Sequence, residues 1–257
     1  MTTELGLLSR EKPKSGSQRL SIPFSRNPVR DKIESLRTTA WPSWKSAAIS
    51  PEKAMITSTV CEITWFAGLV AWYIIRYPFQ RRSKKVSVTK SLFGWRESGV
   101  LALAFVGLWV IPFIYALTGL PSSLDRHLIP AVAVLGVTIL CGALLLFFRS
   151  HADLGRNWSI SLQIRDEHRL VTTGVYRVIR HPMYSSFFLL AIAQLMLLPN
   201  WFAGAAGLIG ISLLYAFRVR QEERMMVERF GAEYRDYMTH TGRLIPPFRS
   251  FMRNYRV

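Results

Sequence analysis

The chain has few cysteines and few acidic residues. Its 257 residues include 2 Cys and 16 Asp or Glu against 33 Lys or Arg, so the formal net charge is +17. No Cys/His cluster has the spacing of metal ligands, and we expect no bound metal. Cys61 and Cys141 both lie in apolar stretches, where cysteine usually behaves as a small buried hydrophobic residue. No apolar stretch follows the N-terminus, so we expect no cleaved signal peptide.

Long uncharged blocks occupy much of the chain. Half of the residues (50%) are hydrophobic, and residues 98–120 and 128–148 carry no formal charge. A helix needs about 20 apolar residues to cross the hydrocarbon of a membrane, so each block predicts one span. Residues 54–75 form a weaker block, because Glu62 lies inside it. An ionisable group within a span is a functional candidate, unless the span begins after that residue.

The longest uncharged block, residues 182–217, exceeds the length of one ordinary span. It is interrupted by Leu198-Pro199-Asn200-Trp201, which predicts a tight hairpin of two helices. Together with the three earlier blocks, this predicts an all-α fold. We expect a polytopic membrane helix bundle of about five transmembrane helices, followed by a cytosolic C-terminal segment.

Basic residues flank the apolar blocks, chiefly in residues 76–96 and 218–256. This distribution is the positive-inside pattern of membrane proteins, so these segments are predicted to be cytoplasmic. Contact with anionic membrane lipids explains the basic charge without a nucleic-acid partner. A hairpin returns the chain to the face that it left, so the segments before and after residues 182–217 should lie together.

The chain divides into three predicted regions. Residues 1–50 are basic, rich in Ser and Pro and without an apolar period, which indicates a flexible region; an organellar transit peptide is the alternative. Residues 51–150 hold three spans, and residues 151–257 hold a connector, the hairpin and a C-terminal catalytic segment. Counting the spans places the basic N-terminal region outside, against the positive-inside bias. A re-entrant or interfacial first segment would remove that conflict.

Arg180-His181-Pro182-x-Tyr184 is the first candidate site motif. Proline suits the first turn of a helix, which places Arg180 and His181 at a helix N-terminus. Free backbone N–H groups and the helix dipole favour an anion there, and a ligand carboxylate would fit. The alternative is that Arg180 contacts lipid headgroups and His181 caps the helix.

Arg218-x-x-x-Glu222-Glu223 is the second candidate site motif. Residues four apart share a helix face, so Arg218 and Glu222 can meet as the chain leaves the membrane. This pair is either a surface ion pair or the wall of a pocket beside His181. Tyrosines near the same plane offer ring faces to a sulfonium or ammonium ligand.

The glycines of the last span have a different explanation. Ala203/Gly207 and Ala206/Gly210 are small-xxx-small pairs inside an apolar stretch, and they lack the spacing of a nucleotide loop. This spacing predicts close packing between helices.

Taken together, the motifs of the C-terminal half resemble those of one enzyme family. In chain order they are Leu154-Gly155-Arg156-x-Trp158, Leu170-Val171-x-x-Gly174-x-Tyr176, Arg180-His181-Pro182-x-Tyr184, Glu222-Glu223, Phe230-Gly231-x-x-Tyr234-x-x-Tyr237 and Pro246-Pro247. Over residues 154–248 this ensemble resembles the isoprenylcysteine carboxyl methyltransferase family. Ser186 stands where that family often has glycine, and the N-terminal half shows no motif match.

The resemblance implies an enzyme that uses S-adenosylmethionine as its cofactor on a lipophilic substrate arriving from the bilayer. It implies that Leu170, Val171, Gly174 and Tyr176 lie along the cofactor, largely through backbone contacts. It further implies that His181 and Tyr184 hold the amino-acid end of the cofactor, with Glu222 and Glu223 on the opposite wall.

Arg180, Arg218 and Glu222 are the candidate catalytic residues that accompany this cofactor site. Arg180 and Arg218 are predicted to orient an acidic acceptor, since a carboxylate is already nucleophilic and needs a cationic clamp rather than a base. An amine, thiol or hydroxyl acceptor would need a general base, for which His181 or Glu222 is best placed.

The function predicted from the sequence is therefore methyl transfer to the carboxylate of a prenylcysteine-like substrate, in the bacterial inner membrane or the endoplasmic reticulum. A phospholipid amine and a small thiol remain alternative acceptors. An NADPH-dependent sterol-type reductase is an alternative enzyme, because such reductases share Arg-His-Pro-x-Tyr. A non-enzymatic membrane scaffold is a further alternative, although it leaves the motif ensemble unexplained.

Overall fold

The structure is a computed structural model that describes residues 51–83, 90–91, 95–155, 163–164 and 170–247. The predicted flexible region 1–50 and two motif residues, Arg156 and Trp158, lie outside these ranges.

Helices make up most of the described part. They are α1 (Pro51–Ser83), α2 (Trp95–Phe105), α3 (Ile111–Thr118), α4 (Pro130–Leu154), α5 (Pro182–Leu197), α6 (Trp201–Phe230) and α7 (Ala232–His240). Short elements complete them: a π-helical turn at Val106–Val110, 3₁₀ turns at Ser122–Leu124 and Gly174–Arg177, and two antiparallel two-residue strands, β1 (Lys90–Ser91) and β2 (Gln163–Ile164).

Four helical stretches are long and apolar enough to cross a membrane: Thr57–Arg81, Trp95–Thr118, Pro130–Leu154 and Trp201–Phe230. The fifth apolar helix, α5, has only 16 residues. The predicted all-α bundle of about five membrane helices is confirmed, but the short member is α5 and not the block that contains Glu62. Pro182 starts α5 and the Pro199-Asn200 turn follows its end, which explains its length.

The predicted hairpin turns between Leu197 and Trp201. Asn200 is the N-cap of α6, where its side chain accepts a hydrogen bond from the backbone N–H of Ala203 at 2.9 Å. The same side chain donates to Asp125 Oδ1 at 2.8 Å, which joins the hairpin turn to the loop before α4. These two turns therefore share one end of the bundle.

The glycines of α6 pack where the sequence predicted close helix contacts. A Cβ on Gly210 would lie 3.0 Å from the Cα of Ala104 in α2, and a Cβ on Gly207 would overlap Gln194 of α5. From the facing π-helical turn, a Cβ on Gly107 would overlap the carbonyl oxygen of Ala206. The small residues therefore let α6 approach both neighbours closely.

The π-helical turn between α2 and α3 precedes Pro112. Proline cannot donate the backbone bond that an uninterrupted α-helix needs, and a π turn is one common accommodation. One carbonyl of this turn, that of Gly107, accepts a hydrogen bond from the buried side chain of Gln194 at 3.0 Å. A polar contact thus links the second span to α5 inside the bundle.

The two cysteines occupy different environments. Cys61 is buried against the core, as expected, whereas Cys141 is exposed on α4. The expectation of burial was wrong for Cys141 because apolar composition marks a membrane helix without telling which face points outward.

Candidate active site

The start of α5 brings the first motif together. Pro182 occupies the first helical turn, and His181 is the N-cap residue, as the sequence predicted. Tyr184 lies in that first turn and is buried, with 8% of its surface exposed. Arg180 and His181 thus stand directly before a membrane helix, at the end of the bundle opposite the Asp125–Asn200 contact.

The second motif lies on the charged end of α6. That helix has 30 residues, or about 45 Å, against about 30 Å of hydrocarbon, so its C-terminal turns extend past the apolar part. Arg218, Glu222 and Glu223 occupy the beginning of this extension. Arg218 and Glu223 are both buried, with 8% and 6% of their surfaces exposed.

The two motifs meet around the imidazole of His181. Its Nδ1 lies 3.6 Å from Glu222 Oε2, and its Nε2 lies 3.5 Å from Glu223 Oε1. Tyr184 donates its hydroxyl hydrogen to Glu222 Oε1 at 2.8 Å. The hairpin therefore brings residues 38 or more positions apart into a largely buried cluster, rather than leaving a surface ion pair.

Arg218 lies between two carboxylates. Its Nη2 is 3.2 Å from Glu222 Oε1 on the same helix and 3.4 Å from Glu97 Oε1 in the first turn of α2. Its Nε is buried and makes no hydrogen bond within the described residues. The guanidinium therefore still has a donor to offer a ligand.

Arg180 contacts the chain that follows α7. Its Nη1 donates to the carbonyl oxygens of Met238, at 2.9 Å, and of Thr241, and its Nε lies 3.3 Å from Glu223 Oε1. Arg243 also holds Glu223, with Nη2 2.6 Å from Oε2 and Nε 3.0 Å from Oε1. Glu223 is thereby fixed by two arginines from different parts of the chain.

Residues 241–247, called here the C-terminal segment, run alongside the approach to α5. The backbone N–H groups of Arg180 and His181 donate to the carbonyl oxygens of Gly242 and Arg243 at 2.8 and 3.0 Å. In return, the N–H of Gly242 donates to Val178 at 3.1 Å. This ladder orients the residues that carry the first motif.

The loop before α5 is anchored on the end of α4. Gly174 has a φ of +61°, and a Cβ there would overlap the carboxylate of Asp153. The same carboxylate accepts a hydrogen bond from the N–H of Val175 at 2.8 Å. Leu170 and Val171 are half-buried at the start of this loop.

Tyr176 joins the loop to two helices. Its hydroxyl donates to the carbonyl oxygen of Ser150 at 3.3 Å, and its own carbonyl accepts the hydroxyl of Tyr237 at 2.6 Å. Burial raises the pKa of Tyr237 to about 12, so its hydroxyl stays protonated and can donate at neutral pH. Tyr234 is buried beside Tyr237, which gives the α7 part of the motif ensemble a packing role.

The structure therefore brings six predicted site residues into one cluster. They are Arg180, His181, Tyr184, Arg218, Glu222 and Glu223. Leu170, Val171, Gly174 and Tyr176 lie on the adjoining loop. Glu62 lies in α1, and no ion pair or hydrogen bond among the described residues joins it to the cluster. The individual ligand-binding and catalytic roles stay predictions. Within the described ranges there is also no group of three or more His, Cys, Asp or Glu that could hold a metal ion.

Three side chains of this region escaped sequence reasoning: Glu97, Asp153 and Arg243. Glu97 directly precedes an uncharged block. An ionisable residue at or inside a predicted span is a candidate functional residue, and by that criterion Glu97 qualifies as Glu62 does. Asp153 immediately precedes a matched motif, so its position could have been noticed. Nothing local marks Arg243, whose role depends on the C-terminal segment folding back.

Comparison with known proteins finds one family model that matches part of the chain. The model of the isoprenylcysteine carboxyl methyltransferase (ICMT) family matches residues 134–228. These matched residues are called here the ICMT-family segment. It contains α4 from Val134 onward, the hairpin and the acidic pair of α6, while α1, α2 and α3 lie outside it.

Relatives of the ICMT-family segment carry a consistent name. A probable protein-S-isoprenylcysteine O-methyltransferase of Oryza sativa subsp. indica is 34% identical over 92 residues, which are 34% of this chain and 48% of that protein. The protein-S-isoprenylcysteine O-methyltransferase of Saccharomyces cerevisiae is 39% identical over 80 residues, or 31% of this chain and 34% of that protein. The match thus spans half or less of each relative.

A solved structure of the eukaryotic intramembrane Ras methyltransferase ICMT also aligns with this chain. The alignment has a TM-score of 0.47 at 25% identity and covers 72% of this chain and 63% of that one.

Proposed function

We propose that this chain is an integral membrane methyltransferase that uses S-adenosylmethionine to methylate the carboxylate of a prenylcysteine-like substrate. The observation that carries the proposal is the cluster formed by Arg218, Glu222, Tyr184 and His181, which is built almost entirely from the ICMT-family segment. The relatives of that segment are named as methyltransferases that act on isoprenylcysteine.

The donor set of the cluster fits the amino-acid end of S-adenosylmethionine, which carries an ammonium and a carboxylate. Glu222 and Glu223 supply acceptors for an ammonium group, while His181 Nε2 is a buried nitrogen atom without a hydrogen bond in the described part of the chain. A buried polar atom left without a hydrogen bond is costly, so a ligand that pairs with this nitrogen would complete the site.

In this proposal the residues position their ligands and perform no proton transfer. S-adenosylmethionine, when bound, supplies the methyl group as a sulfonium and leaves as a neutral thioether. Arg218 orients the acceptor carboxylate, which is already deprotonated and nucleophilic, so that its oxygen lies in line for attack. Of the two arginines considered, Arg218 is the better clamp, since Arg180 is engaged by the carbonyls of Met238 and Thr241.

Arg180 and Glu223 support the site from behind. Arg180 fixes the C-terminal segment against the start of α5. The backbone of His181 is thereby held against Arg243 of that segment. Leu170, Val171, Gly174 and Tyr176 are proposed to border the cofactor from the adjoining loop. The acceptor would enter from the bilayer, and the proposed location is the endoplasmic reticulum with the site on the cytoplasmic face.

Binding and product analysis test this proposal. Purified protein in detergent should bind S-adenosylhomocysteine saturably and gain thermal stability by mass action. Membranes given methyl-labelled S-adenosylmethionine and an N-acetylated prenylcysteine should form a base-labile methyl ester, detected by mass spectrometry. Saturable NADPH binding without a response to S-adenosylhomocysteine would refute the methyltransferase and favour a reductase.

Replacing Arg218 with lysine tests the clamp directly. A guanidinium can grip a carboxylate with two parallel hydrogen bonds, whereas an ammonium is a point charge. We expect Arg218→Lys to lose about ten- to hundred-fold in rate with a carboxylate acceptor, which corresponds to about 1.5–3 kcal/mol. An equal loss with a neutral thiol acceptor would place Arg218 on the cofactor instead. No loss with either acceptor would return it to the role of a headgroup anchor.

A further inference from the structure

Glu97 is a buried carboxylate that the ICMT-family segment does not include. It lies in the first turn of α2 with 8% of its surface exposed, and neither of its carboxylate oxygens accepts a hydrogen bond within the described residues. Its charge is met by Arg218, 3.4 Å away. A charged group with this little compensation needs a reason to be kept, because burial without hydrogen bonds is costly.

The geometry around Arg218 supplies that reason. Glu97 and Glu222 approach the same Nη2 from different helices. Glu222 Oε1 also accepts the hydroxyl of Tyr184, so that oxygen already has a donor. Without Glu97, the guanidinium would keep only Glu222, four residues away on the same helix, as a carboxylate partner, and its orientation would be less constrained.

We propose that Glu97 is a positioning residue that shares the Arg218 guanidinium with Glu222 and so keeps it in the orientation that receives the acceptor carboxylate. This inference rests on the proposed function, because it assigns the acceptor end of the same site. It also gives the second span, which lies outside the matched segment, a part in methyl transfer. Glu97 acts through Arg218, so its loss should weaken acceptor binding more than cofactor binding.

The test compares Glu97→Gln with Glu52→Gln. Glu52 is also an acidic residue in the first turn of a membrane helix, α1, but it is exposed and lies far along the chain from the cluster. The control therefore removes the same charge from a similar position relative to a helix dipole. For each variant we would measure the KM for the prenylcysteine acceptor, kcat and the Kd for S-adenosylhomocysteine.

Glu97→Gln should raise the acceptor KM about tenfold or more, with the Kd for S-adenosylhomocysteine within about twofold of wild type. Glu52→Gln should change neither value. Equal weakening of acceptor and cofactor would indicate a merely structural role, and an acceptor KM equal to that of Glu52→Gln would also overturn the inference.

Glu97→Asp carries the test if Glu97→Gln does not fold, since it keeps the charge and shortens its reach. It should raise the acceptor KM several-fold at unchanged cofactor affinity, and an unchanged acceptor KM would overturn the inference. A wild-type protein without methyl transfer to prenylcysteine would overturn the proposed function and this inference with it. An active wild type with unaffected Glu97 variants would overturn this inference alone.

Discussion

At the residue scale, the site is a compact set of charges that neutralise one another. Three carboxylates, those of Glu97, Glu222 and Glu223, face the guanidinium groups of Arg180, Arg218 and Arg243. Removing one member of a buried ion pair is strongly destabilising, because it leaves its partner uncompensated. Substitutions that keep the shape and remove one hydrogen bond are therefore more informative here than alanine.

Tyr184→Phe is such a substitution, because it removes only the hydroxyl that donates to Glu222 Oε1. A hydrogen bond to a charged group contributes about 1.5–3 kcal/mol. We expect the affinity for S-adenosylhomocysteine, measured by calorimetry, to fall by about ten- to hundred-fold.

Tyr215→Phe is the matched control for this change. Tyr215 packs its ring against Tyr184 at 5.4 Å between centroids, and its hydroxyl makes no hydrogen bond among the described residues. The affinity of Tyr215→Phe for S-adenosylhomocysteine should stay close to that of wild type. Equal affinities for the two variants would show that the Tyr184 hydroxyl does not shape the cofactor site.

At the element scale, the start of α5 depends on the C-terminal segment. Arg180 reaches two backbone carbonyls at and beyond the end of α7, and the ladder between residues 178–181 and 242–243 lies beside it. The sequence predicted that these residues would share a membrane face, but not that they pair through their backbones.

Arg180→Lys should loosen this segment, since a single ammonium cannot replace a guanidinium that contacts Met238, Thr241 and Glu223 together. We expect faster hydrogen–deuterium exchange at the N–H of Gly242, with exchange in the interior of α5 unchanged. Arg177→Lys, at an exposed position of the same loop, is the control. Unchanged exchange at Gly242 in Arg180→Lys would mean that the ladder stands without Arg180.

A second prediction at this scale concerns helix spacing. Gly107→Ala places a methyl group in overlap with the carbonyl oxygen of Ala206, so the two helical stretches must separate. Overpacking of this kind costs about 1–3 kcal/mol, and we expect a lower midpoint of thermal unfolding in detergent.

Gly142→Ala is the matched control for helix spacing, because a Cβ at Gly142 of α4 meets nothing within 4 Å. Alanine favours helix over glycine by about 1 kcal/mol, so this variant should be neutral or more stable. If both variants behave alike, intrinsic helix propensity outweighs the contact between α6 and the π turn.

At the scale of the whole molecule, the two ends of the bundle differ in chemistry. At one end, Asp125 contacts Asn200, and the guanidinium carbon of Arg126 lies 4.4 Å from the centroid of the Trp201 ring. The other end carries the charge cluster and α7. The proposed reaction on a membrane-bound acceptor with a water-soluble cofactor suits such an arrangement, because the end with the cluster offers several charged groups to a polar ligand.

We predict that the end with the charge cluster faces the cytoplasm and that the end with the Asp125–Asn200 contact faces the opposite side of the membrane. Single cysteines in place of Ser122 and Glu233, both exposed, mark the opposite ends of the described bundle. In sealed vesicles with the cytoplasmic face outward, a membrane-impermeant maleimide should modify Glu233→Cys and spare Ser122→Cys until detergent is added. The parent protein controls for Cys141, and the reverse labelling pattern would refute a cytoplasmic site.

Much of this protein was decided by its sequence alone. The uncharged blocks determined the helical membrane bundle, because a hydrocarbon environment requires long apolar helices with internally satisfied backbones. Pro182 and the Leu198–Trp201 interruption set the limits of α5 and the hairpin, since their effects on the backbone are local. The motif ensemble of residues 154–248 gave the family, and that prediction is confirmed for residues 134–228.

Only the tertiary structure decided which charges face one another. Glu97 reaches Arg218 across 121 positions of chain, and Arg243 reaches Glu223 because the C-terminal segment folds back along α5. Neither contact has a local sequence signal, because pairing between distant side chains depends on how the helices pack. The sequence therefore determined the helices and the motif chemistry, while packing determined that Arg218 lies between two carboxylates.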